Sequence, residues 1–422
     1  MVSLFKAIIK CDETQSAELA KDMMKKTRPV ALWTILMHAA AWHEQRTFDT
    51  AHSTIATYAT HRMVEELGHN EDILVEKPKS SPITIPDEIK LPLQQALVER
   101  NARHLAAIDH WKQDQGPRYN IDAQRDSPDN LIHAYTQSIR ERSLMGALRA
   151  AFSLTTYDET LRFIRRTLTL ASEKPDSLGH GFIMPFSLLV ELPDARFTLP
   201  HKAILWHLAE YLVRKVPTRQ PTDFQSEDTH KKLAPSSDLS KYTDLIANSV
   251  VNYGILGHNG IFAHRIDEAA RKGLIGSKVV QWLIETLQRN IGEIKGINEL
   301  EPSVLIQKAK GDDWEEIPSH IEVPHADAVR SWFDDHYSEC WTSMLDLKSA
   351  TFEGMIDDMK GKDWDLIRAA QYAMCSLHGS PQASHVVIFT QSVWNLVDKN
   401  LITKELAVLQ VHRMLREYLK GR

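Results

Sequence analysis

One short phrase returns four times along the chain, and its spacing constrains the fold more than any other feature. The copies are Ala51-His52-Ser-Thr-Ile55, Gly179-His180-Gly-Phe-Ile183, Gly257-His258-Asn-Gly-Ile261 and Ser384-His385-Val-Val-Ile388. Each has a small residue, then His, then Ile three positions on, followed by Ala56, Met184, Phe262 or Phe389. With 20 His and 31 Ile in 422 residues, about 1.5 His-x-x-Ile matches are expected by chance, and five occur. The fifth, His201-Lys-Ala-Ile204, follows Pro200 and lies outside the spacing of the other four.

That spacing is paired. His52 to His180 spans 128 residues and His258 to His385 spans 127, while His52 to His258 spans 206 and His180 to His385 spans 205. Sixteen residues after His258 comes Leu274-Ile275, and sixteen after His385 comes Leu401-Ile402. The pattern reads as a tandem duplication, with halves at 1–215 and 240–422 and a polar, proline-containing linker at 216–239. A duplicated helical array buries its apolar stripes between neighbouring units, so the halves are expected to share one core.

The expected class is all-α. Leu161, Ile164, Leu168 and Leu170 recur at helical spacing, as do Val279, Leu283, Leu287 and Ile291, and Leu406, Leu409, Met414 and Leu415. Four stretches interrupt the pattern: Glu76–Lys90, Gln113–Asn130, Lys215–Ser240 and Gly311–Pro324. The 17 Gly and 18 Pro are too few for the turn-rich punctuation of an all-β protein. No apolar run reaches the ~18 residues of a spanning helix. The N-terminus reads as the first turn of a helix rather than a signal peptide, so a cytoplasmic protein is expected. A net charge of −6 carries no footprint of a nucleic-acid binder. Three widely separated cysteines, Cys11, Cys340 and Cys375, exclude a disulfide scaffold or a cysteine zinc site.

The repeated histidines are the candidate site. Each follows a turn-like stretch and opens an apolar helical run, with the Ile and the next residue on its own face. A helix N-terminus disfavours a second positive charge, so His52, His180, His258 and His385 are biased toward neutral imidazole, the form that ligates a metal or acts as a base. If they converge, they can serve as catalytic groups or hold a transition metal such as Fe, Zn, Cu or Ni. If they do not, each is a helix-start residue bonded to nearby backbone. His38, His43, His264 and His378 form a second tier, with Asp49, Asp267 and Glu268 as candidate carboxylates. His43-Glu44 is not a zinc-protease motif, because its second His would fall at Thr47. No dinucleotide or phosphate-loop fingerprint, serine elbow or Cys-x-x-Cys is present. Trp33, Trp42, Trp282 and Trp394 fall within apolar stripes and read as core.

The phrase Gly179-His180-Gly-Phe-Ile183, with its three relatives, resembles the His-containing helix starts of the questin-oxidase-like family. That resemblance implies a helical protein performing oxygen-dependent oxidation of an aromatic, polyketide-like molecule. The expected function is accordingly an oxidoreductase acting on a small molecule in a central His-lined pocket. The alternative is a non-catalytic helical scaffold or a small-ligand carrier, and oligomeric state is not legible from the sequence.

Overall fold

The computed structural model describes residues 2–27, 29–44, 52–68, 83–154, 156–175, 178–190, 192, 199–215, 239–292, 364–376 and 383–419. These residues form sixteen α-helices and no β-strand. The first eight are α1 (Val2–Ile9), α2 (Glu13–Lys26), α3 (Pro29–Ala40), α4 (His52–Glu66), α5 (Asp87–Ala106), α6 (Pro128–Arg140), α7 (Leu144–Phe152) and α8 (Tyr157–Ala171). The rest are α9 (His180–Leu189), α10 (Leu199–Lys215), α11 (Thr243–Val251), α12 (His258–Arg271), α13 (Ser277–Ile291), α14 (Trp364–Cys375), α15 (Ala383–Asp398) and α16 (Lys404–Leu419).

Two kinds of helix are present, and their sequences differ accordingly. Outer helices carry local start signals and one apolar stripe. The Ser127 hydroxyl accepts from the Asn130 backbone N–H at the start of α6. Thr156 and Glu159 form a reciprocal capping box on α8, which satisfies two backbone donors at once. The inner helices are buried nearly all round, as expected of helices without a polar stripe. All ten residues of α9 are buried. Helix α4 buries Ser53, Thr54, Thr57 and Thr60 among its apolar residues, and Thr60 returns its hydroxyl to the Ala56 carbonyl.

Four inner helices close on themselves. Helix α4 packs on α9, α9 on α12, α12 on α15, and α15 on α4. Around this ring lie α3 and α5 against α4, α8 and α10 against α9, α11 and α13 against α12, and α14 and α16 against α15. Two of the four ring contacts cross between the expected halves, and one apolar core runs through both. Hydrogen bonds cross as well, from Trp282 Nε1 to the Ser172 carbonyl at 2.8 Å and from Arg165 Nε to the Gly273 carbonyl at 3.1 Å. The expected linker falls outside the described residues except for Leu239, which opens a 3-10 turn. The break at Gly311–Pro324 also lies outside them, whereas most of Gln113–Asn130 is non-helical and ends where α6 begins.

Among the described residues no helix is long and apolar enough to cross a membrane.

Candidate metal centre

Each ring helix begins at the repeated phrase. His52, His180 and His258 are the first residues of α4, α9 and α12, and His385 is the third of α15. The small residue before the His has a specific task. Gly179 and Gly257 sit in the left-handed region, at φ +77° and +83°, where a side chain is strained. A Cβ on Gly179 would lie 2.7 Å from the Phe262 ring of α12, and one on Gly257 2.5 Å from the Phe389 ring of α15. The aromatic residue four positions after one histidine thus lies on the glycine before the preceding one. This interlock fixes neighbouring helix starts against each other. Gly181, next to His180, is required for another reason: a Cβ there would lie 2.0 Å from the Lys174 carbonyl oxygen.

The four helix starts bring the imidazoles together. Ligand-type nitrogens of His52, His180, His258 and His385 all lie within 4.8 Å of one another. His180 Nε2 is 2.8 Å from His258 Nε2 and 3.2 Å from His52 Nε2. Ring centroids of neighbours around the helix ring are 5.0, 4.4, 4.9 and 4.3 Å apart, and His52 and His258, which face each other across it, are 6.3 Å apart. The four neighbour distances are nearly equal, so the rings form a closed cycle. Ile55, Ile183, Ile261 and Ile388 lie one turn further along the same faces, and all four are buried.

The loop before α12 helps to set this arrangement. Gly254, Leu256 and Gly257 all have positive φ, and for Leu256, at +54°, that conformation is costly. Asn259 ties the loop down by donating its side-chain amide to the Asn252 carbonyl at 2.7 Å. The loop turns the Ile255 carbonyl onto His258, whose Nδ1–H donates to it. Neutral His258 therefore presents a bare Nε2 lone pair to the centre, the tautomer a metal requires. Burial pushes His52 down to about 3, with His258 and His43 adding to the shift. The same desolvation holds His180 well below the ordinary histidine value, and it lowers His258 against the opposing hydrogen bond from Ile255. All three are neutral near pH 7.

Among the described residues no carboxylate or thiolate joins the four nitrogens. Asp267 accepts two hydrogen bonds from Arg271 Nε, at 2.8 and 2.9 Å. Glu268 accepts from the Tyr58 hydroxyl at 2.6 Å and from Arg265 at 3.3 Å. The second-tier histidines also have other partners. His38 Nε2 meets the Tyr119 hydroxyl at 2.8 Å and its ring stacks on Phe5. His264 Nδ1 accepts from Arg265 at 3.2 Å. His43 lies nearer the centre, its Nδ1 3.0 Å from the hydroxyl of Ser53, the residue after His52. His378 and Asp49 lie outside the described residues. Trp33, Trp42 and Trp394 are buried, and Trp282 packs partly buried against the same core.

Sequence reasoning missed Arg265, fully buried on α12, whose neighbours come from the other three ring helices. The available signal was its place seven residues after His258, which is the same face of the helix.

No family model, no curated protein and no solved structure matches the chain.

Proposed function

We propose that the four imidazoles bind one transition-metal ion and that the protein is a metal-dependent oxidoreductase acting on a small molecule. The observation that carries the reading is the convergence of four imidazoles, three of them buried, within 4.8 Å, each delivered by a different helix start. Imidazole nitrogens with bare lone pairs repel one another unless a proton or a cation lies between them. One metal ion serves all four at once.

The outline of the group bears on which metal. Four nitrogens ~2.1 Å from a tetrahedral zinc would all lie ~3.4 Å apart. Here two of the contacts, at 2.8 and 3.2 Å, are shorter than that, and all the ligand-type nitrogens lie within 4.8 Å of one another. Of the ions that four imidazoles can hold, Cu(II), Ni(II) and iron are the redox-capable ones and suit the oxidoreductase reading better than zinc. A redox-capable ion in a buried site favours oxidation chemistry over hydrolysis. The substrate class, a small aromatic or polyketide-like molecule in a central pocket, comes from the resemblance of the His180 phrase to questin-oxidase-like helix starts.

The tandem duplication belongs to the same reading. Helices α4 and α12 begin 206 residues apart, and the cyclic packing order α4–α9–α12–α15 is the one that duplication of a two-helix unit about a twofold axis would generate. Duplication supplies four equivalent ligands from two.

Elemental analysis with a visible spectrum of the purified, tag-free protein tests this. A stoichiometric metal, lost in His180→Ala/His258→Ala, is expected. A colourless, metal-free protein that also fails to take up added Cu(II), Fe(II), Ni(II) or Zn(II) would favour a scaffold or carrier.

A further inference from the structure

Beneath the four histidines, Arg265 of α12 places its guanidinium among side chains of the other three ring helices. Arg265 follows His258 by seven residues, and its guanidinium lies 4.6 Å from the Tyr58 ring centroid and 6.0 Å from that of Phe186. Its Nη2 donates to Gln391 Oε1 at 3.1 Å, and its Nη1 to Glu268 at 3.3 Å and His264 Nδ1 at 3.2 Å. Tyr58, Phe186 and Gln391 each follow the histidine of their own helix by six residues. One side chain of α12 therefore touches α4, α9 and α15 two turns, ~10 Å, below the imidazoles.

We infer that Arg265 is a positioning residue that sets the aperture of the ring and hence the spacing of the four imidazole nitrogens. Its functional consequence rests on the metal reading, whereas the geometric claim does not. A guanidinium is planar and rigid, so its stacking and hydrogen-bond directions fix distances to several partners at once. Between it and the histidines lie the four buried isoleucines, and a close-packed layer transmits displacement rather than absorbing it. The position 206 residues earlier in the sequence is Ala59, which is fully buried and carries no charge, so the equivalent place on α4 holds no second guanidinium. Glu268 accepts from Arg265, is held in turn by the Tyr58 hydroxyl, and also lies 3.8 Å from Lys272 Nζ, so a double variant removes the pair without leaving its carboxylate behind.

The test compares two buried arginines. Arg265→Met/Glu268→Gln removes the pair inside the ring, and Arg368→Met/Glu66→Gln removes a pair at the C-terminus of α4, far from the histidines, whose carboxylate is the more deeply buried of the two. Arg265→Lys keeps the charge without the fork and serves as the variant retaining most of the fold. Cu(II) binding to the purified proteins is followed by competition titration and by electron paramagnetic resonance. The ring variants should bind Cu(II) at least tenfold more weakly and show altered copper hyperfine splitting, with Arg265→Lys the milder of the two. The Arg368 variant should keep the wild-type spectrum even where its melting temperature falls further. Folded Arg265 variants with wild-type copper affinity and spectrum overturn the inference. If the wild-type protein itself takes up no metal, the metal reading fails, and metal-free crystals decide the positioning claim. Nε2 separations that spread in Arg265→Lys support it, and unchanged separations overturn it.

Discussion

Helices α4 and α15 each carry a polar group at both ends, and the two ends behave in opposite ways. At their N-termini stand His52 and His385; at their C-termini stand Glu66 and Asp398, joined by Arg368 of α14. The C-terminal cluster is complete within the chain. Glu66 accepts from Arg368 at 2.7 Å, from Asn395 at 2.7 Å and from the Tyr372 hydroxyl, while Arg368 also reaches Asp398 at 2.9 Å. A carboxylate at a helix C-terminus faces the negative end of the helix dipole, so the cluster stands because Arg368 lies between two of them. Its charges hold Arg368 protonated, with the pKa well above the ordinary value despite burial. The N-terminal cluster has no such complement among the described residues, since four groups of one kind face each other. A polar cluster matched by its own chain is a structural joint. Four like groups that face one another, with no opposite charge among them, are where the metal reading places its ion.

The largest effect should come from breaking the matched end. Arg368→Ala leaves Glu66 buried without its cation, which costs about 3–5 kcal/mol, and many molecules should fail to fold at 37 °C. Urea unfolding measures the loss. At the unmatched end the expectation is reversed: His180→Ala in metal-free protein should change stability by less than about 1.5 kcal/mol, because it relieves nitrogen–nitrogen crowding while opening a small cavity. A His180→Ala loss equal to that of Arg368→Ala would place both ends in the structural class and remove the contrast.

Next in size is the interlock between helix starts. Gly257→Ala forces a side chain into a left-handed φ and against the Phe389 ring, at a cost of about 1–3 kcal/mol. Unlike a core truncation of equal cost, it should also weaken metal binding, since it moves the start of α12. Restoring space with Gly257→Ala/Phe389→Leu should recover part of the stability. If Gly257→Ala melts lower yet binds metal unchanged, the glycine serves the fold alone.

Acid should act through buried histidines outside the ring as well as through those within it. Burial lowers His38 to about 4 and His207 to about 3. The native state therefore binds fewer protons than the unfolded chain between the unfolded pKa near 6.5 and those values. With the folded pKa depressed, stability is fully present above about pH 6.5 and falls as pH drops, by about 1.4 kcal/mol per pH unit for each group. His207→Gln should flatten the decline measured by urea titration between pH 6.5 and 4. An unchanged slope would mean that His207 is protonated in the native state.

The fold class was legible because helical periodicity needs only local sequence. The runs at Leu161–Ala171, Val279–Ile291 and Leu406–Leu419 fall in α8, α13 and α16. The His-bearing helix starts were legible through repetition, which marks residues sharing one environment. The interlock was not, although both its parts stood in the repeated phrase. A glycine before His and a phenylalanine four after it touch across different helices, and no local rule links residue 179 to 262 or 257 to 389. Arg265 was hidden for a related reason. An arginine beside His264 and before Asp267-Glu268 looks like a solvated face until Tyr58, Phe186 and Gln391 surround it. Long-range pairings decide which polar residues are buried, and they follow from the topology.

The smallest expected effect serves as the control for the rest. Thr156→Ala removes the capping box of α8, an outer helix that packs against α9. The Glu159 N–H loses its side-chain acceptor at 3.2 Å, and Glu159 loses the reciprocal geometry with which it accepts from the Thr156 backbone. Such a loss costs about 1 kcal/mol, because both groups are exposed and water replaces much of what is removed. The melting temperature should fall by a few degrees while metal affinity and the copper spectrum stay as in the wild type. That separation is the sharpest form of the contrast between the two clusters. If a capping change in α8 moved the spectrum as far as Gly257→Ala does, the imidazole geometry would depend on global stability rather than on contacts around the ring, and the special roles of the glycine interlock and Arg265 would fall together.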